Sequence, residues 1–206
     1  IGIEPCANVE KITKKQKYNT YPEYWSPSLA KKILKKHNKV NVIVSSNTIS
    51  HIKNLDDVFR GINIVLEDKG VFIIEDPSLL ECLKKNTYDQ FYNEHIYVFS
   101  YLSLSNALKK HNLKIFKIEK LKIHGGSNRY YIKKNNNNIK LHKSVNYQKH
   151  KEEKYGLNNL KTYLNFAKRV KLSKKKLLSI FMNCKNNNKK VIAYGATAKS
   201  VTILNY

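Results

Sequence analysis

Residues 40–74 read VNVIVSSNTISHIKNLDDVFRGINIVLEDKGVFII, and this stretch decides the fold class. Val40 to Ser45 is rich in β-branched residues and bounded by polar ones, which predicts a strand, parallel and central in its sheet. From about Asn54, Leu55, Val58, Phe59, Ile62 and Leu66 recur on one helical face. Lys69-Gly70 ends that helix, and Val71 to Ile74 predicts the next strand. Strand, helix, strand in this order is the signature of an α/β protein with a doubly wound parallel sheet.

Upstream, Ile1 to Glu4 predicts the end of a buried strand that Pro5 turns, and Cys6 to Lys17 has helical spacing. Ser26-Pro27 starts a further helix, an N-cap followed by Pro at the first helical position, with Leu29, Ala30, Ile33 and Leu34 as its stripe through Lys36. Downstream, Tyr101 to His111 predicts a helix. Leu113 to Ile123 and Arg129 to Lys133 predict two strands joined across His124-Gly125-Gly126-Ser127. The Asn/Lys tract after Lys133 predicts a solvated loop, and about Leu157 to Asn187 a single long helix. Lys190 to Tyr194 predicts a short strand, Gly195-Ala196-Thr197 a tight turn and Ala198 onward a helix.

The 206 residues, 41% of them apolar, suffice for one ordinary core or a little more. No apolar run reaches membrane-spanning length, and the first residues lack the pattern of a signal peptide. Cys6, Cys82 and Cys184 are far apart and odd in number, which predicts free thiols in a reducing cytoplasm rather than zinc or a disulfide framework. The net charge of +24 suggests a polyanion partner. Yet only Arg60, Arg129 and Arg169 are arginines, whereas bidentate reading of phosphates and bases favours Arg. Surface lysines and asparagines imposed by an A- and T-rich genome account for the charge without a specific nucleic-acid partner.

Five motifs stand where chemistry is possible. Glu4-Pro5 closes a strand at the position where nucleoside-binding sheets hold ribose, and Asn47 follows the next clear strand. Ser45 and Ser46 read equally as the polar cap of the following helix. Tyr92-Asn93-Glu94-His95 places a phenol, a carboxylate and an imidazole together, a set able to remove a proton beside a ketone. His124-Gly125-Gly126-Ser127 lets backbone amides approach an anion. Tyr194-Gly195-Ala196-Thr197-Ala198-Lys199 has the strand–turn–helix setting of a phosphate site. Each alone reads equally as ordinary structure.

In order and spacing, Gly2-Ile3-Glu4-Pro5, Asn47-Thr48-Ile49-Ser50-His51, Tyr92-Asn93-Glu94-His95, His124-Gly125-Gly126-Ser127 and Tyr194 to Lys199 resemble the S-adenosylmethionine-dependent sugar C-methyltransferases. Members of that family methylate C3 of nucleotide-diphosphate 4-keto-deoxysugars. The resemblance covers essentially the whole chain. It implies an incomplete Rossmann-like class I methyltransferase domain over residues 1–140, without its first strand and Gly-rich loop. A linker and long helix over 141–188 and the start of a second Rossmann-like, nucleotide-sugar-binding domain over 189–206 would follow. Glu4, Pro5 and Asn47 would bind the cofactor, and His51, Tyr92, Glu94 and His95 would form the catalytic set with His95 as general base. His124, Gly125, Gly126, Ser127, Tyr194 and Lys199 would contact the substrate. Zinc is expected only in an amino-terminal region that this chain lacks. Asn93 departs from the commoner Tyr-His-Glu-His form, which bears on the identity of the sugar.

Two other readings stand beside this one: an O- or N-methyltransferase of the same architecture, and a basic nucleic-acid-binding module without catalysis. A fragment without the Gly-rich loop is expected to bind S-adenosylmethionine weakly and to be inactive by itself.

Overall fold

The computed structural model describes residues 1–135, 139–195 and 197–206. Asn136, Asn137 and Asn138 of the expected loop, and Ala196 of the expected turn, lie outside the described residues. The elements in chain order are β1 (Gly2–Ile3), α1 (Ala7–Lys15), β2 (Thr20–Tyr21), α2 (Pro27–His37), β3 (Val40–Ser46), α3 (Leu55–Val65) and β4 (Leu66–Pro77). They continue with α4 (Leu79–Lys85), α5 (Tyr101–Lys109), β5 (Leu113–Leu121), β6 (Ser127–Lys134), α6 (Lys143–Tyr155), α7 (Leu160–Asn186) and α8 (Ala198–Asn205).

The deciding stretch folds as strand, helix and strand, but α3 ends at Val65 rather than at Lys69-Gly70, and Leu66 already begins β4, ahead of the expected Val71. Strands β3 and β4 run parallel from Val42↔Val71 to Ser46↔Glu75, with α3 crossing between them. Asn54 caps α3 by accepting from the Asp57 amide at 3.2 Å, and its helical stripe delivers Val58, Phe59 and Ile62 to the interior. They meet Phe72 and Ile74 from β4, Leu104 and Leu108 from α5, Ile115 from β5 and Tyr130 and Ile132 from β6. Burying each such side chain contributes about 1.5–3 kcal/mol.

Two sheet expectations need correction. Among the described residues the main sheet has the order β3-β4-β6-β5, so β3 lies at an edge rather than in the centre. The sheet is also mixed: β6 runs antiparallel to both β4 and β5. The cause is the five-residue link 122–126 between β5 and β6, since a connection that short can only reverse the chain. Strands β1 and β2 form a separate parallel pair. Ile3 and Tyr21 from this pair pack on Leu29, Ala30 and Ile33 of α2, whose Ser26 cap accepts from the Leu29 amide at 3.2 Å as expected.

The long helix expected over about 157–187 is α7, and a further helix, α6, precedes it. Gly156, at φ +80°, closes α6, and Asn159 restarts the chain as the cap of α7 by accepting from the Lys161 amide at 2.9 Å. Helix α6 itself falls where the loop after Lys133 was expected to run on. Its Glu152, fully buried, accepts from the Tyr101 and Leu102 amides at 2.8 and 3.0 Å, an anion seated on the N-terminus of α5. Residues 190–194 form no strand. Val191, Ile192 and Tyr194 are exposed there and no neighbouring strand pairs with them among the described residues.

Candidate active site

The carboxyl ends of β3 and β4 and the segment between α4 and α5 converge on one group of side chains. After β3, Asn47 turns the chain in the left-handed region at φ 50°, its amide donating to the Glu75 carbonyl at 2.7 Å. A single 3₁₀ turn over Ile49–His51 follows. The amide of Tyr97 donates to the Ser50 carbonyl at 3.1 Å and its hydroxyl to the Lys53 carbonyl at 2.8 Å. That turn is thereby fixed to the second segment, and the His51 ring comes to 4.9 Å from the His95 ring in an edge-to-face arrangement.

His95 is the best-defined group of the site. Its Nδ1 lies 2.8 Å from the Gln90 carbonyl, which can only accept, so Nδ1 carries the proton. Nε2 is then the basic nitrogen of the neutral ring, and the Tyr92 hydroxyl stands 3.0 Å from it as a donor. Burial, reinforced by His51 and Lys199, holds the His95 imidazole below its ordinary value of 6.5 against the opposing pull of the Gln90 carbonyl and Glu94. Burial, with Glu94 adding to it, also pushes the Tyr92 phenol up, so Tyr92 stays a neutral donor. The pair is thus a neutral base and a neutral acid at physiological pH. Glu94 is exposed at the rim and acts on both through its charge.

Gln90, only 2% exposed, joins two of the motifs read from sequence and was missed there. Its carbonyl fixes His95, and its side-chain amide donates to the His124 carbonyl at 3.1 Å. The signal was its place inside Asp89–His95, but a backbone carbonyl role leaves no trace in residue type. His124 is exposed with φ 51° and Gly125 has φ +80°, so this corner is a left-handed turn. At Gly126 a Cβ would lie 2.9 Å from Glu81 Cβ. Ser127 is buried and its hydroxyl donates back to the Ile123 carbonyl at 3.3 Å, which makes it a brace for the turn.

The remaining motif residues are more dispersed. Lys199, on the first turn of α8, is near enough to act on both His95 and the Cys82 thiol. Tyr194 projects into solvent and touches none of this group. Glu4 and Pro5 follow β1 in the separate strand pair. One Glu4 oxygen accepts from the Cys6 amide at 2.9 Å, and the carboxylate keeps further acceptor positions that suit ribose hydroxyls. Asn47 likewise stands just past the carboxyl end of a parallel strand, so these residues fit a nucleoside cofactor. Cys6, Cys82 and Cys184 are free thiols, and no group of metal-ligating side chains occurs among the described residues. No described helix is long and apolar enough to cross a membrane.

Residues 1–118 match the family model of the methyltransferase domain. The chain belongs to the S-adenosylmethionine-dependent methyltransferases. Residues 122–206 match the C-methyltransferase C-terminal domain. Among curated proteins, the C-methyltransferase NovU of Streptomyces niveus is 24% identical over 204 residues, which are 99% of this chain and 49% of the relative. The chain therefore spans about half the length of the curated relative it matches. Among solved structures, a SAM-dependent methyltransferase from Anabaena variabilis aligns with 13% identity and a TM-score of 0.48 over 65% of this chain and 67% of that one. PKMT2 from Rickettsia typhi in complex with AdoHcy aligns with 9% identity and a TM-score of 0.42 over 70% and 45%. The Rossmann-like class I reading of the fold agrees with the family and with the parallel β3–α3–β4 unit.

Proposed function

We propose that this chain carries the proton-abstracting half of a C-methyltransferase whose substrate is a nucleotide-diphosphate 4-keto-deoxysugar. One observation carries the reading: an imidazole whose Nδ1 is pinned by a carbonyl, leaving Nε2 basic beside a neutral phenol. A methyl acceptor that is already nucleophilic needs no such base, whereas a carbon acid does. The likeness to the C-methyltransferase NovU and to the C-methyltransferase C-terminal domain supports the same class. The domain boundaries near residues 140 and 188 and the cytoplasmic location belong to this proposal.

S-adenosylmethionine, when bound, supplies an electrophilic methyl group. Glu4 and Asn47 would hold its nucleoside side. Nε2 of His95 removes the proton from C3 of the sugar, and the C–H electron pair moves into the enolate of the adjacent C4 ketone. Tyr92, freed from Nε2, donates its hydroxyl to the enolate oxygen, and Lys199 adds positive charge near it. The enolate carbon would then be the nucleophile toward the bound donor's methyl, whose bond to the sulfonium sulfur would break with its electron pair left on the departing thioether. His95 afterwards releases its proton to water. The His124–Ser127 turn, tied to His95 through Gln90, would border the substrate. Acid–base assistance of this kind contributes about 10²–10⁴ in rate, and alignment of the two carbons contributes separately.

The test is a methyl-transfer assay of the complete parent protein on a panel of nucleotide-linked 4-keto-sugars, with His95→Ala alongside. Solvent-deuterium exchange at C3 in the absence of methyl donor isolates the first step. Exchange and methylation should both disappear in the variant. Transfer to oxygen or nitrogen that survives His95→Ala would instead favour the heteroatom methyltransferase reading.

A further inference from the structure

Asp76 is a buried acid with no assigned task. It is 1% exposed near the end of β4, and neither carboxyl oxygen has a hydrogen-bond partner among the described residues. Its neighbours are committed elsewhere. Asn128, opposite it on β6, gives its amide hydrogens to the Tyr130 hydroxyl at 3.0 Å and the Ser78 hydroxyl at 3.4 Å. Glu75, next to it on β4, accepts from Arg129 at 2.9 Å. What remains is Ser50, itself 1% exposed, with its hydroxyl unpartnered. Both the hydroxyl and the amide of Ser50 face the Asp76 carboxyl closely enough to favour its charge, but outside hydrogen-bond geometry.

We propose, on the reading of the site given above, that Asp76 is a positioning residue for the His51–His95 pair: its buried carboxyl draws in the Ser50 amide and hydroxyl and so sets the 3₁₀ turn that presents His51. The turn has its other side fixed by the Tyr97 amide on the Ser50 carbonyl. A small approach of Ser50 toward Asp76 would close two hydrogen bonds and satisfy three orphaned polar atoms together. Hydrogen bonds of catalytic groups are commonly long before substrate arrives and tighten afterwards. The His51 ring, one residue on and 4.9 Å from His95, moves with that closure. The titratable groups facing Asp76 are Glu75 on its own strand and Tyr130 on β6. Asp76 does not touch the reacting atoms.

The experiment reads His51 directly, so it does not depend on which acceptor is methylated. The ring resonances of His51 and His95 are assigned by NMR in the full chain and titrated in wild type, Asp76→Asn and Ser50→Ala. We expect the His51 titration to be displaced in both variants, in the same direction, while an exposed ring such as His124 is unchanged. In the parent enzyme, kcat should fall by about 10²-fold, the scale of a 1 Å misplacement, with KM for the methyl donor unchanged. The double variant should be no worse than the worse single one. Ser50→Ala deletes one oxygen only, so it remains informative where Asp76→Asn fails to fold. An unmoved His51 titration in Ser50→Ala overturns the proposal. A displaced His51 together with no methylation of any keto-sugar keeps Asp76 as its anchor and overturns the reaction assigned above.

Discussion

Glu152→Ala tests how the site segment is held at its far end. Residues 86–99 carry Gln90, Tyr92 and His95, and they pass directly into α5, which begins at Tyr101. The first two amides of α5 donate to Glu152 at 2.8 and 3.0 Å, and Gln148 donates to the same carboxylate at 2.8 Å. Glu152 is 0% exposed, so the truncation admits no easy replacement by water. A hydrogen bond to a charged acceptor contributes about 1.5 kcal/mol at the low end, and two backbone donors are lost, giving about 3 kcal/mol. The cap that Ser100 forms on the Ser103 amide at 3.1 Å remains, which keeps the loss below that of a fully uncapped helix. With a urea slope near 2 kcal/mol per molar, the unfolding midpoint should drop by about 1.5 M. The neighbouring Glu153→Ala is the control, since its carboxylate is exposed and pairs loosely with Lys149 at 3.8 Å. Urea denaturation followed by circular dichroism decides the matter. A Glu152→Ala loss within 0.5 kcal/mol of the control, a margin typical of surface changes, refutes the claim that this carboxylate anchors α5.

Further measurements follow from the same geometry. Burial raises the Asp76 carboxyl to about 6 from 3.8, so the folded state holds its proton more tightly than the unfolded chain. Its contribution of about 3 kcal/mol is full below pH 3.8 and is lost as the pH rises through about 6; Asp76→Asn should flatten the stability profile in that window. Because burial lowers the His95 imidazole, kcat/KM of the parent enzyme should rise with pH with a midpoint below 6.5; a midpoint above that value would contradict the buried, neutral base. Tyr92→Phe removes the donor to the enolate oxygen but leaves the base, so exchange at C3 and methylation should fall together by about 10²-fold, without the complete loss expected of His95→Ala. Gly61→Ala would place a Cβ 2.9 Å from the Trp25 indole nitrogen; displacement of the ring should outweigh the helix gain, costing about 1 kcal/mol and changing the fluorescence of the chain's single tryptophan.

The parts of the fold that were legible in sequence are those where an apolar period and a cap coincide. Ser26 to Lys36 is such a place, and α2 lies within a residue or two of its expected bounds; α3 starts where expected but ends at Val65, four residues short of Lys69-Gly70. Strand order was not legible, because nothing in the residues of β6 says whether β4 or β3 will be its neighbour. Helix α6 escaped notice for a different reason. It is held by buried Gln148 and Glu152 as well as Val145, so its inward face is largely polar and leaves no apolar stripe. Lys190 to Tyr194 shows the converse: strand-like residues there form no strand and are exposed, with no strand pairing beside them among the described residues. In the site, the side-chain chemistry of Tyr92 and His95 could be read from their spacing, since the hydrogen bond between them is local. The approach of His51 to His95 spans 44 positions and depends on tertiary folding.

Strand β3 closes one border of the sheet with seven residues, and Val42 and Val44 on it are 55% and 65% exposed. A long, apolar border with open amides and carbonyls is a template for pairing with another copy. What opposes pairing is the net charge of +24, which repels like molecules over roughly 10 Å at 0.1 M salt but only about 3 Å at 1 M. Solubility of this chain is therefore set by ionic strength in an unusual sense. For residues 1–206 in isolation, light scattering should show separate chains in dilute buffer and larger particles in concentrated salt, with β3 as the paired border.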